Sequence, residues 1–212
     1  SKSRELDVLA DQASPETLAH AAQAHGCRSV AFTYNDPIIF LEYAVDVAQA
    51  CHALGIATVA VTNGYICAEP RELFCRHLDA ANVDLKGFSE SFYHQLTGGQ
   101  LAPVLETLKY LRHETKVWLE ITTLVIPGAN DSDQEFERLT AWVAGELGPD
   151  VPLHFSAFHP AFRLTDRPRT PHQTLIRARQ IALANGLHHV FLGNVEDVGR
   201  SSTFCAGCGH CL

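Results

Sequence analysis

Methionine is missing from all 212 residues, and a chain that opens at Ser1 without one reads as a piece excised from a longer protein. Positive charge is sparse as well: 16 lysines and arginines stand against 24 aspartates and glutamates, a formal net charge of −8. That balance argues against non-specific binding to nucleic acid or to an anionic membrane surface. No apolar run approaches the length of a membrane span, and no basic-then-apolar leader opens the chain. The expectation is a soluble, cytoplasmic protein with neither nucleic acid nor membrane among its partners. No Gly-x-Gly-x-x-Gly follows a strand-like run, which weakens a dinucleotide-binding reading. His-x-His and paired-carboxylate metal signatures are absent too.

What is present is a chain that is 46% hydrophobic, enough for one substantial core and one domain. Strand-like runs recur at 29–34, 57–62, 82–87, 117–126, 151–158 and 188–193, with helical patterns between them. "SPETLAHAAQAHG" opens on a Ser14 cap and stops at Gly26. "PIIFLEYAVDVAQACHALG" stops at Gly55, and Ser132 with Glu135 three residues on has the form of a capping box. Strands alternating with helices at this spacing specify βαβ units and a parallel sheet. The fold class expected is α/β, a partial (β/α) barrel, with an open doubly wound sheet second. The composition shifts near Val195, which divides the chain into a core over 1–195 and a short cysteine-rich tail over 196–212.

In βα folds of this kind ligands sit at the C-terminal ends of the strands. Nearly every strand here delivers polar groups at that end: "TYNDP", "TNGY", "DLKG", "HFSAFHP" and the terminal "GN", with "LEITT" inside the fourth. Each has an ordinary reading. Asn35-Asp36-Pro37 is turn and cap chemistry; Asp84 and Lys86 share a strand face and form an ion pair; His154 and His159 are satisfied histidines. Their repetition at strand after strand favours one multi-point polar site. Amide, hydroxyl, carboxylate and ammonium groups round one mouth suit a polar, zwitterionic molecule, with the hard chemistry left to a cofactor.

With "FTYNDPIIFLEYA", "VTNGY", "AANVDLKGFSESFYHQLTGG", "VWLEITTLVIPGANDS", "VPLHFSAFHP" and "GNV" in view, the sequence resembles the radical S-adenosylmethionine enzymes almost end to end. It looks closest to the Memo-associated group, relatives of the pyruvate-formate-lyase-activating enzymes. The resemblance implies S-adenosylmethionine as small-molecule cofactor, held by Thr33, Asn35, Asp36, Asn63, Asp84, Lys86, Glu120, His159 and Asn194, with Asp84 and Lys86 also the catalytic candidates. It implies a 4Fe–4S cluster on a C-x₃-C-x₂-C motif that is absent here; in relatives that motif lies just upstream of the segment matching "SKSRELD", so the cluster segment and the first strand are expected upstream of Ser1. The complete protein would cleave S-adenosylmethionine reductively to a 5′-deoxyadenosyl radical for hydrogen abstraction, with a protein glycine as one possible substrate, and this piece alone would be inactive. Two rivals stand beside that reading: a Schiff-base aldolase-like barrel with Lys86 as nucleophile, and a non-catalytic scaffold that has lost its cluster.

Seven cysteines are an odd number and form no secreted disulfide framework. Cys27, Cys51, Cys67 and Cys75 lie in periodic segments and read as small buried hydrophobes. Cys205, Cys208 and Cys211 crowd into "CAGCGHC", where Cys205-x₂-Cys208 has zinc-knuckle spacing with Cys211 or His210 as third ligand, the form of a truncated zinc-ribbon-like element. An iron–sulfur site and three plain thiols are the alternatives. Cys205 and Cys208 are expected close together on a poorly held tail.

Overall fold

The computed structural model describes residues 13–205 and 207–211. Six strands form one all-parallel sheet in sequential order: β1 Ser29–Phe32, β2 Ala57–Thr62, β3 Ala80–Asp84, β4 Trp118–Val125, β5 Leu153–Ala157 and β6 Val190–Gly193. The expected α/β partial barrel is what forms, an open sheet whose strands are joined by helical crossovers, as parallel pairing demands. The helices are α1 Pro15–Ala24, α2 Leu41–Ala53, α3 Ala68–Cys75, the three-residue α4 Glu90–Phe92, α5 Ala102–Glu114, α6 Asp133–Trp142, α7 His172–Ala184 and the short α8 Val198–Ser201. Among the described residues no helix is long and apolar enough to cross a membrane.

Local signals account for the helix starts. Ser14 Oγ accepts the Thr17 N–H at 3.2 Å, and Pro15 fills the first helical position. Ser132 Oγ accepts the Glu135 N–H at 3.2 Å. The reciprocal half of that capping box does not form. The Glu135 carboxylate turns inward, is 9% exposed, and accepts the backbone N–H of Phe88 instead. Satisfying a buried N–H in the loop after β3 outweighs a cap that solvent can replace.

Burial alternates strictly along the central strands. One face presents Ala60, Val83, Ile121, Phe155 and Leu192 to the helices, all buried. Phe136 of α6 meets Phe155 edge-on at 5.5 Å between ring centres, and both are fully buried. Burying side chains of this size contributes roughly 1.5–3 kcal/mol each. The other face stays half-open and carries Asn82, Asp84, Glu120, Thr122, His154 and Ser156. Helices cover one side of this sheet, and the polar chemistry stands on the other.

Two expectations are corrected. Cys51 and Cys75 are buried, but Cys27 and Cys67 are exposed. Cys27 follows the helix-stopping Gly26 and Cys67 is the residue capping α3, so both lie in connections rather than on apolar faces. The third strand ends at Asp84, not in "DLKG". The Leu85 N–H donates back to the Val83 carbonyl at 3.1 Å, and that tight turn ends the ladder.

Candidate functional site

The loops after β1 and β2 are tied together by one carboxylate. Asp36 caps the 3₁₀ turn Pro37–Phe40 through the Ile38 N–H at 3.2 Å. It also accepts the Thr62 hydroxyl at 3.0 and 3.1 Å and the Asn63 N–H at 2.7 Å. Thr62 Oγ1 in turn accepts the Gly64 N–H at 3.1 Å, and Asn63 Oδ1 accepts the Tyr65 N–H at 2.8 Å. "TNG" is therefore a fixed turn. Only glycine fits its third place: φ is +69°, and a Cβ on Gly64 would lie 2.8 Å from Val83 Cγ1.

After β3, Lys86 Nζ sits 2.6 Å from Asp84 Oδ2, with both side chains about one-third exposed. The tight turn at Leu85 returns Lys86 over the strand end. Its backbone is held from two sides. The Lys86 N–H donates to Tyr93 Oη at 3.2 Å, and Asn130 Nδ2 donates to the Lys86 carbonyl at 2.6 Å. Asn130, 2% exposed, also donates to the Leu124 carbonyl at 2.9 Å and accepts the Ile126 N–H at 2.7 Å. The asparagine of "IPGAND" is the peg that joins the ends of β3 and β4. Burial pushes the Tyr93 phenol well above its usual range, so it stays protonated.

These groups border a cleft of about 460 Å³ at the C-terminal ends of β1 to β3. Asp36, Asn63, Asp84 and Lys86 supply its polar lining; Ile38, Ile39, Tyr65, Leu96 and Val104 form an apolar wall, and Gly98 and Gly99 let backbone approach. Tyr65, Tyr93 and the Gly98-Gly99 pair are lining residues that the sequence did not single out. "LTGG" shows only as a loop signal, and the tyrosines carry no periodicity.

The remaining sequence-predicted residues stand elsewhere. Thr33 and Asn35 are exposed beyond the end of β1, outside this lining. Between them Tyr34 has φ +69° and is wholly exposed, so the chain rolls outward before Asp36 returns. His159 is exposed past the end of β5, and Asn194, at φ +58°, closes β6 against β5 by donating to the Ala157 carbonyl at 3.1 Å. Asn35 and His159 are thus not among the residues lining the cleft of Asp36, Asn63, Asp84 and Lys86; the strand that His159 follows, β5, lies two strands from β3 in an open sheet, roughly 10 Å away. Glu120 pairs in register with Asn82, one row below Asp84 and Thr122, and faces a different cleft.

The tail is held better than expected. Phe204 and Cys211 form an antiparallel bridge, the Cys205 N–H donates to the His210 carbonyl at 2.8 Å, and the Gly209 N–H donates to the Cys205 carbonyl at 2.8 Å. Cys205 Sγ accepts the backbone N–H groups of Cys208 and Gly207 and the Cys208 thiol, which together hold its thiol below the usual range. Among the described residues, no three histidine, cysteine or acidic side chains come together as a cation site.

Comparison with known proteins bears on this arrangement. The family model of the radical SAM superfamily matches residues 3–140. An uncharacterised protein of Methanocaldococcus jannaschii is 38% identical over 199 residues, 94% of this chain and 59% of its own. The pyruvate formate-lyase 1-activating enzyme of Escherichia coli strain K12 is 29% identical over 126 residues, 58% of this chain and 50% of its own. The chain thus spans half to three-fifths of the length of these two relatives. The crystal structure of a domain of the pyruvate-formate lyase-activating enzyme from Bacteroides vulgatus superposes with a TM-score of 0.68 at 17% identity, covering 78% of this chain and 99% of that one, a likeness of fold. The chain belongs to the radical SAM superfamily.

Proposed function

We propose that this chain is the core of a radical-SAM enzyme of the activating type, from the Memo-associated group, and that the cleft at the ends of β1 to β3 holds S-adenosylmethionine. One observation carries the reading: Asp84, Lys86, Asp36 and Asn63 converge on a single cleft with an apolar wall. That donor set fits a zwitterion with a heterocyclic end. Carboxylates face an ammonium, Lys86 faces a carboxylate, and Ile38, Ile39 and Tyr65 offer surface to a ring. A reduced 4Fe–4S cluster, when bound, would supply the electron for cleavage of S-adenosylmethionine to methionine and a 5′-deoxyadenosyl radical for hydrogen abstraction.

The chain's own contribution is placement. Asp36 fixes Asn63 by its backbone, so the Asn63 side chain and the TNG turn stand still before any ligand arrives. Asn130 and Tyr93 do the same for Lys86. Preorganisation of this kind lowers the entropy lost on binding and keeps the reacting geometry narrow. The described residues do not fit the cluster itself, since no trio of suitable ligands converges among them.

Residues 1–195 serve as this core and 196–212 as an appended element. Cys205 and Cys208 there offer two thiolates to a zinc ion; the hairpin and the N–H groups directed at Cys205 Sγ support that role. The whole protein acts in the cytoplasm, and its substrate is a protein glycine, a reading supported by the likeness to an enzyme named for activating pyruvate formate-lyase. Anaerobic reconstitution with iron and sulfide, then assay of 5′-deoxyadenosine, tests the reading. The isolated chain gives none, and a longer form carrying a C-x₃-C-x₂-C segment gives product. Absence of product from the longer form overturns the reading.

A further inference from the structure

A second cleft, about 350 Å³, opens on the half-open face over the N-terminal halves of β4 to β6. Its polar centre is the Glu120 carboxylate. Oε2 accepts the His154 Nε2–H at 2.8 Å, and Oε1 accepts the Trp118 Nε1–H at 3.1 Å. Aromatic surface stands on both sides. The His154 ring stacks on Phe191 at 5.0 Å and 23°, and Trp118, one of two tryptophans, is 59% exposed. Ser201 and Thr203, from the segment after β6, close one end.

This arrangement has features that a mere surface ion pair lacks. The Glu120 carboxylate is held ionised: the His154 hydrogen bond first, and the Trp118 indole after it, pull its pKa below the ordinary range against the opposing effect of burial. Both donors are ring N–H groups, and the His154 ring is stacked on Phe191, so the carboxylate is held from two sides. Two donors leave it lone pairs to spare. The exposed ring face of Trp118 attracts cations as well.

We infer that this second cleft is a binding subsite for a cationic, hydrogen-bond-donating group, an amine or guanidinium on an apolar or aromatic stem, with Glu120 as the counter-ion. Its position suggests what that group belongs to. Glu120 pairs with Asn82, and Asp84 pairs with Thr122. The two clefts therefore share one sheet face and stand one side-chain row apart, roughly 7 Å along the strands. The Thr122 hydroxyl donating to Asn82 Oδ1 at 2.9 Å forms polar floor between them. A molecule anchored by its cation at Glu120 reaches the Asp84–Lys86 end with a stem of a few bonds. As a substrate anchor the cleft rests on the radical-SAM reading; as a binding site it does not, and the test reads binding alone.

The probe is benzamidine, with benzamide as its neutral counterpart of the same shape. The readout is the indole N–H signal of Trp118 in a nitrogen-15 correlation spectrum, assigned with Trp118→Phe. Benzamidine is expected to shift that signal saturably and to bind at least about tenfold more tightly than benzamide. Glu120→Gln, which keeps the shape and can still accept the Trp118 bond, is expected to abolish the preference while leaving the other indole signal, from Trp142, in place. Equal binding of the two probes, an unshifted Trp118 signal, or a preference that survives in a folded Glu120→Gln variant would overturn the inference. Loss of S-adenosylmethionine binding with this preference intact would count against the cofactor cleft and not against this one.

Discussion

The Asp36 carboxylate and the Asn63 backbone N–H, on successive loops 27 residues apart, are joined at 2.7 Å. The same carboxylate takes the Thr62 hydroxyl. Asp36 is therefore first a fastener of the cleft's floor, and only through its exposed edge a wall of it. Replacing it with alanine leaves the Asn63 N–H and the Thr62 hydroxyl without their acceptor. Bonds to a charged group contribute roughly 1.5–3 kcal/mol each, so Asp36→Ala is expected to cost about 2–4 kcal/mol, read from the midpoint of urea unfolding. Asp36→Asn should cost less, because an amide oxygen can still accept one of the two.

Gly64 gives a sharper steric prediction. Alanine there meets both a left-handed φ of +69° and Val83 Cγ1 at 2.8 Å. Gly64→Ala should destabilise the fold by about 1–3 kcal/mol. The double change Gly64→Ala with Val83→Ala should recover part of a steric cost and none of the φ cost, which a double-mutant cycle separates.

Asn130→Ala removes the peg between the ends of β3 and β4 and orphans the Ile126 N–H with the Lys86 and Leu124 carbonyls. Unsatisfied buried groups cost roughly 1–3 kcal/mol each, with some relief from water entering the gap, and a loss of about 2–4 kcal/mol is expected. Hydrogen exchange should speed up at Lys86 and Ile126 before it does so in the sheet interior.

How legible all this was in the sequence depends on the interaction concerned. Alternating strands and helices follow from short-range patterns, and the six strands lie within a few residues of their expected places. The end of β3 did not show, because it is set by a three-residue turn at Leu85 that "DLKG" shares with ordinary strand sequence. Asp36, Asn63, Asp84 and Lys86 could be singled out since each lies at or just beyond the end of a strand. Glu120 illustrates the limit. A period of two says which face a residue takes, but its depth along the strand depends on the register with Asn82, which is a tertiary fact. Glu135 was misread as a cap, and Asn130 passed over, for the same reason, since their partners, Phe88 and Lys86, are more than forty residues away.

The Glu120–His154 contact carries a pH signature. The folded-state pKa of Glu120 is depressed, chiefly by the His154 hydrogen bond, below its ordinary 4.5. The carboxylate therefore contributes stability above the unfolded value, and that contribution is lost as pH falls through the folded value. Wild-type protein should lose more stability between pH 6 and pH 3 than Glu120→Gln, as measured by chemical denaturation at each pH. Parallel pH curves for the two would show that the carboxylate is not held as described.

The most direct test of the cofactor cleft is calorimetric titration of S-adenosylmethionine into this chain and into Asp84→Asn and Lys86→Met. Without iron to take the amino and carboxylate groups, the ligand keeps hydrogen bonds that contribute only about 0.5–1.5 kcal/mol net each, so wild-type binding should be weak but saturable. Each substitution should weaken it by about tenfold, since one charged partner is lost each time. Saturable binding that both variants retain unchanged, or no binding to the wild-type chain at all, would contradict the assignment of this cleft.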